Sequence, residues 1–157
     1  MRSFIIIIVI IMGLIIEGCS RDTIPNTTVE DTSDNRDVLE FVERYRHAVE
    51  ERNVGALLSL ASPEYFDDMG TPTAQDDVDS ASLRDHLARW QRELLEVRYE
   101  IRYRRVTIEQ ERVLVDYTYT GRFRIVSPAG DRWARRINDN RLVLARSDDG
   151  FVIVSGM

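Results

Sequence analysis

Of the 157 residues one is cysteine (Cys19), none is lysine and two are histidine. A single thiol excludes an intrachain disulfide framework, so the fold has to stand on packing alone. It also excludes paired-cysteine metal sites. His47 and His86 each lack a second ligand at metal-binding spacing, so neither a metal nor a cofactor is expected. Asp76, Asp77 and Asp79 bunch together without the glycine and closing glutamate of a calcium loop. No glycine-rich phosphate cradle and no G-x-S-x-G elbow is present. With lysine missing, all 21 basic residues are arginine, set against 27 acids for a net charge of −6. The arginines are interleaved with acids, which argues against nucleic acid as a partner.

The one long hydrophobic run, residues 4–16, is thirteen residues, shorter than the about 20 that a membrane helix needs. Arg2 precedes it and Ile16-Glu17-Gly18-Cys19 follows, which has the layout of an export signal. The tetrapeptide resembles the lipobox of bacterial lipoproteins, with Glu17 standing where a small neutral residue is usual. The resemblance implies cleavage after residue 18, acylation of Cys19, and a lipid-anchored domain on the exported side of the cell envelope. Ser20 favours the outer membrane over the inner, and an uncleaved N-terminal anchor is the alternative. Two acyl signals on one residue hold a protein firmly to a bilayer. Residues 19–34, rich in Thr, Asn and Asp, read as a flexible tether with a reach of roughly 20 Å.

Residues 35–157 carry the apolar periodicity of a single folded domain. Val38, Phe41, Val42, Tyr45, Ala48 and Val49 recur at helical spacing, with Asp34 or Asn35 as the expected cap. Asn53 caps a second, short helix that Ser62-Pro63 stops. A third is expected from Ser82, on the Leu83, Leu87, Trp90 and Leu94 stripe, with Ser82 and Asp85 at capping-box spacing. From there the period is two. Val97, Tyr99, Ile101 and Tyr103 share a face, and the phase flips at Arg104-Arg105 to Val106 and Ile108, which predicts a β-bulge. Val113 to Ile125 continues the inward face. Trp133, Arg135 and Ile137 are read as inward, with a phase shift at residues 138–140 before Leu142 and Leu144, and 147–150 turn into a last strand. The expected class is α+β, a cone of three N-terminal helices packed on a strongly bent four-stranded antiparallel sheet.

This order, with Arg44-Tyr45, Ala48-Val49, Leu57-Leu58, Pro63-Glu64-Tyr65-Phe66 and the closing Asp149-Gly150-Phe151-Val152-Ile153, resembles the nuclear-transport-factor-2-like superfamily, which includes ketosteroid isomerase and SnoaL-like proteins. The resemblance implies a cone with a cavity and leaves function open between enzymes and binding modules. Matched to ketosteroid isomerase, Tyr45 takes the place of the carbonyl-polarising tyrosine. The base position falls on Met69, beside Asp68, and the strand acid on Asn138, beside Asp139. Tyr45, Asp68 and Asp139 are therefore the catalytic candidates of an isomerase or dehydratase reading. The other reading is non-catalytic: a cavity lined by Tyr45, Tyr99, Tyr103, Tyr117, Tyr119 and Trp133 that takes a small apolar ligand or a protein partner. A third is a module that forms a homodimer through its open sheet face, where Arg122, Arg124, Arg132 and Arg136 would require acidic partners.

Overall fold

The computed structural model describes residues 22–157. The expected signal segment, Cys19 and the start of the expected tether lie outside them.

Residues 22–32 do not run free of the domain, as a slack tether would. Thr23 bridges Glu30, Thr28 Oγ1 donates to the Arg104 carbonyl, and Val29 is 2% exposed within the core. The signal missed is two apolar residues in a polar stretch, Ile24 and Val29, enough to dock a hairpin whose backbone is internally bonded. Helix α1, Ser33–Glu50, then starts two or three residues earlier than expected, because Thr32 and not Asp34 or Asn35 is the cap. Its hydroxyl accepts from the Asn35 amide, while the Asn35 side chain donates back to the Glu30 carbonyl. The α1 stripe is buried as its spacing requires.

Asn53 caps α2, Val54–Leu60, through its side-chain oxygen and the Ala56 amide. Two short strands follow, β1 (Phe66–Asp67) and β2 (Val78–Asp79), paired antiparallel. The stretch before the third helix is therefore not wholly loop, since Val78 is buried. Helix α3 spans Leu83–Glu93. Ser82 makes no capping bond to it and exchanges hydrogen bonds with Asp79 instead. Leu94, the last of the expected helical stripe, is the first residue of the sheet.

Four strands, β3 (Leu94–Ile108), β4 (Arg112–Ile125), β5 (Arg132–Ser147) and β6 (Gly150–Ser155), lie in chain order, all antiparallel. The bulge stands where the phase flip places it, between Tyr103 and Arg105. It bends β3 and lets both halves turn their apolar residues toward α1. Val115, Tyr117, Leu142, Leu144 and Ile153 are fully buried on that inner face.

The phase of β5 differs from its reading. Trp133 pairs with Arg124, Arg135 with Arg122 and Asp139 with Thr118, and directly opposed residues share a face, so this set lies on the outside. Trp133 and Ile137 are each 52% exposed. Asn138-Asp139-Asn140 shifts nothing, and the inward parity runs unbroken through Ala134, Arg136, Asn138, Asn140, Leu142 and Leu144.

An ionic clamp ties α1 to β3. Arg46 bonds Glu43 at 2.7 Å and Glu50 at 2.6 Å, Tyr103 donates to Glu43, and Glu50 accepts from the Tyr99 amide. Burial pushes the Glu43 carboxyl up, but the Tyr103 hydrogen bond and Arg46 outweigh it and hold the group below its ordinary value. Arg141 does the same for Asp116, and Arg104 for Asp139. Each folded carboxyl is more acidic than the unfolded one. Their stabilisation is thus complete above about pH 4.5 and is lost as pH falls through the lower folded values. The melting temperature is expected to drop between about pH 5 and 3, and Glu43→Gln to shallow that drop; an unchanged profile would count against the clamp.

Candidate functional site

Between the helices and the inner face of the sheet the cone is hollow. A cavity of about 200 Å³ opens among Tyr45 and Val49 of α1, Leu57 of α2, Leu83, His86, Leu87 and Trp90 of α3, and Tyr99, Tyr119 and Phe123 of the sheet. Tyr65, Met69, Val78, Asn140 and Met157 complete its wall. The helical stripe that covers the sheet and the alternate residues of β3 and β4 necessarily face each other. Part of the wall is set by a ring turned aside over bare backbone.

That backbone is Gly121. It lies on the inner parity of β4, opposite Tyr99, and a Cβ there would run into the ring of Phe123, which folds back over the bare backbone. The ring rests against the glycine and forms part of the cavity wall. Gly121→Ala is expected to push Phe123 into the hollow and to cost about 1–3 kcal/mol of stability. Chemical denaturation checks the cost, and a preserved cavity in the variant's structure would refute the account.

The polar groups sit deep. The buried hydroxyls of Tyr45, Tyr99 and Tyr117 lie near enough to influence one another electrostatically, Asn140 donates to Tyr117 at 2.9 Å, and Tyr99 and Tyr119 stack with ring centroids 5.0 Å apart. Burial pushes all three of these hydroxyls above the ordinary phenol range. They are neutral donors and acceptors at physiological pH, suited to grip a carbonyl or hydroxyl but not to remove a proton. His86 is the titratable group on the wall. Its partial burial and then Arg89 lower its pKa, against an opposing pull from Asp67 and Glu93, so the imidazole is neutral near pH 7.

Of the residues expected to bind ligand, Tyr45, Tyr99 and Tyr119 line the hollow. Tyr117 is buried and does not line it, its hydroxyl accepting from Asn140. Tyr103 is turned to Glu43 instead, and Trp133 is on the far side of the sheet. The catalytic candidates do not converge. Asp68 is exposed in a turn, accepting from the Gly70 amide at 3.0 Å. Asp139 is on the outer face, bonded to Thr118 and to Arg104 at 2.5 Å. A slip of one residue reverses the face of a strand residue, and that is what separates Asp139 from Asn138.

The acid near the cavity is Asp67, which spacing did not single out. It is buried, and its carboxylate accepts from the Gly156 amide at 2.6 Å, the Met69 amide at 2.8 Å and the Tyr65 hydroxyl at 3.3 Å. Met157 N in turn donates to the Tyr65 hydroxyl. With its lone pairs so engaged, Asp67 latches the last residues of the chain over the cavity. Met69 is held in left-handed backbone at φ 53° by the same carboxylate. No signal in hydropathy marks Asp67. Among the described residues no three His, Cys, Asp or Glu side chains gather to hold a metal ion.

No known family's sequence profile matches the chain, and no curated protein matches it. Solved structures do. A candidate aromatic ring hydroxylase from Novosphingobium aromaticivorans matches with a TM-score of 0.65 at 16% identity, over 78% of this chain and 85% of that one. A candidate dehydratase of the nuclear-transport-factor-2-like family from Streptomyces avermitilis gives 0.61 at 15% identity, over 78% and 93%. A member of that superfamily from Salmonella enterica gives 0.64 at 10%, over 78% and 87%. At such identities the likeness speaks for architecture alone. The α+β cone, its element order and its strand topology are those of the nuclear-transport-factor-2-like fold.

Proposed function

We propose that this domain is a ligand-binding module, lipid-anchored through Cys19 in the bacterial cell envelope, whose cavity takes a small, mostly apolar molecule without chemically changing it. The observation that carries the binding reading is the hollow itself: an apolar wall with neutral tyrosine hydroxyls at depth and no free carboxylate beside them. A cavity of about 150 Å³ accommodates a benzene ring, so about 200 Å³ suits a single ring or a short chain bearing one oxygen. The docked hairpin at residues 22–32 leaves little slack after Cys19 and would hold the domain close to the bilayer. Among the described residues no helix is long and apolar enough to cross a membrane.

The two tryptophans make the test direct, because Trp90 lines the cavity and Trp133 does not. In Trp133→Phe, titration with phenol or acetophenone is expected to change Trp90 emission saturably, and Tyr45→Phe to weaken the effect. Turnover of such a compound would instead favour an enzyme. His86 is the group that favours this second reading, as a neutral base on the wall, and the dehydratase and hydroxylase names of the structural neighbours keep it in view. Loss of turnover in His86→Ala would establish it. Intact mass with residues 1–18 retained and no acyl group would refute the anchor.

A further inference from the structure

The outer face of the sheet places three arginines in one line. Arg98 of β3 is directly opposite Arg122 of β4, and Arg122 directly opposite Arg135 of β5. Such neighbours have Cβ atoms about 4.5–5.5 Å apart, and like charges so placed destabilise a sheet. Little on the face offsets them. Glu96 lies 3.3 Å from Arg98 but also serves Arg124 at 3.8 Å, and the Arg124 Nε is buried without a hydrogen-bond partner. Glu100 stands one rung away, level with Thr120 and Ile137, and among the described residues pairs with none of the arginines. Arg122 and Arg135 have neither ion pair nor hydrogen bond among the described residues.

Beside this rung, Trp133 presents its indole, with the Arg98 guanidinium 5.8 Å from the ring. The four side chains, with Ala134, border a depression of about 300 Å³. We propose that this depression is a binding site for a phosphoryl or sulfate group. Guanidinium forks donate in pairs to the oxygens of such an anion, and three in a row neutralise a charge of −2 or more. The space exceeds what the anion fills, and the indole offers an apolar surface for the organic part attached to it. The chain's net charge of −6 does not forbid this, because charges beyond about 8 Å are screened at physiological salt. Self-docking of this face fits less well. A two-fold dimer sets a patch against its own copy, so the arginine rung would face a second one.

The two tryptophans again separate the signals. In the full chain carrying Trp90→Phe, emission reports Trp133. Titration with inorganic pyrophosphate, at ionic strength held constant with sodium chloride, is expected to give a saturable change. Arg122→Ala and Arg135→Ala should each weaken it about tenfold or more. Folding is controlled by the same variants: without anion they should melt at or above the parent's temperature, since repulsion is relieved, and pyrophosphate should raise the melting temperature of the parent alone. A change produced only by phosphatidylglycerol vesicles, absent with phosphatidylcholine vesicles and lost in Arg122→Ala, supports the site and assigns the phosphoryl group to a lipid headgroup. The proposal is overturned by a sodium chloride response of equal size or by no saturable response to either probe. A response undiminished in the Arg122→Ala, Arg135→Ala double variant overturns it too.

Discussion

Asp67→Ala is expected to destabilise the domain by about 3–5 kcal/mol, the largest effect of any single polar substitution in this fold. The carboxylate holds two backbone amides, those of Gly156 and Met69, and the Tyr65 hydroxyl. Alanine would leave these donors without an acceptor in a place water reaches poorly, at about 1–3 kcal/mol each. Asp67→Asn keeps one acceptor oxygen and should cost about half as much. A shift of the urea midpoint at pH 7, with an unchanged slope, measures it. A loss under 1 kcal/mol would mean that solvent replaces the latch.

Gly156→Ala is expected to cost about 3 kcal/mol for a different reason at the other end of the same latch. Gly156 has φ 93°, and an added Cβ would collide with the carbonyl oxygen of Arg141, a backbone atom that cannot swing away. Left-handed strain and the forced separation of the chain from β5 add together. Moving residue 156 also withdraws its amide from Asp67, so the two substitutions report on one contact. The double variant should therefore lose less than the sum of the single losses, by about 1 kcal/mol or more. Strict additivity would show the latch to be two unrelated features.

The cone was legible in the chain wherever one face of an element is covered and the other is wet. The α1 stripe, the Asn53 cap, the bulge after Tyr103 and the final hairpin all follow from local pattern. The phase of β5 was not, because Trp133, Arg135 and Ile137 alternate as a buried strand would, yet face outward. Periodicity shows that a strand has two unlike faces. It does not show which face the helices reach, and Arg136 and Asn138 hold the inward parity where that cover has ended. Tyr45, Tyr99 and Tyr119 reach the cavity because the helical stripe and the inner sheet parity face each other, whereas Tyr103, on the same parity, is drawn to Glu43. Asp67 and Gly156 were not found, because a buried carboxylate whose partners are backbone amides leaves no pattern in side-chain chemistry. The arginine rung was equally silent, since opposition across three strands depends on a register that the sequence does not spell out.

A crystal structure of the chain grown with phenol tests the central claim most directly. The account predicts density for one ring between Trp90 and the Tyr45–Tyr99 hydroxyls, with the phenol oxygen within hydrogen-bond distance of that pair and the walls unmoved. A cavity filled instead by the side chains of Met69, Trp90 or Phe123, with phenol excluded from it, would contradict the account.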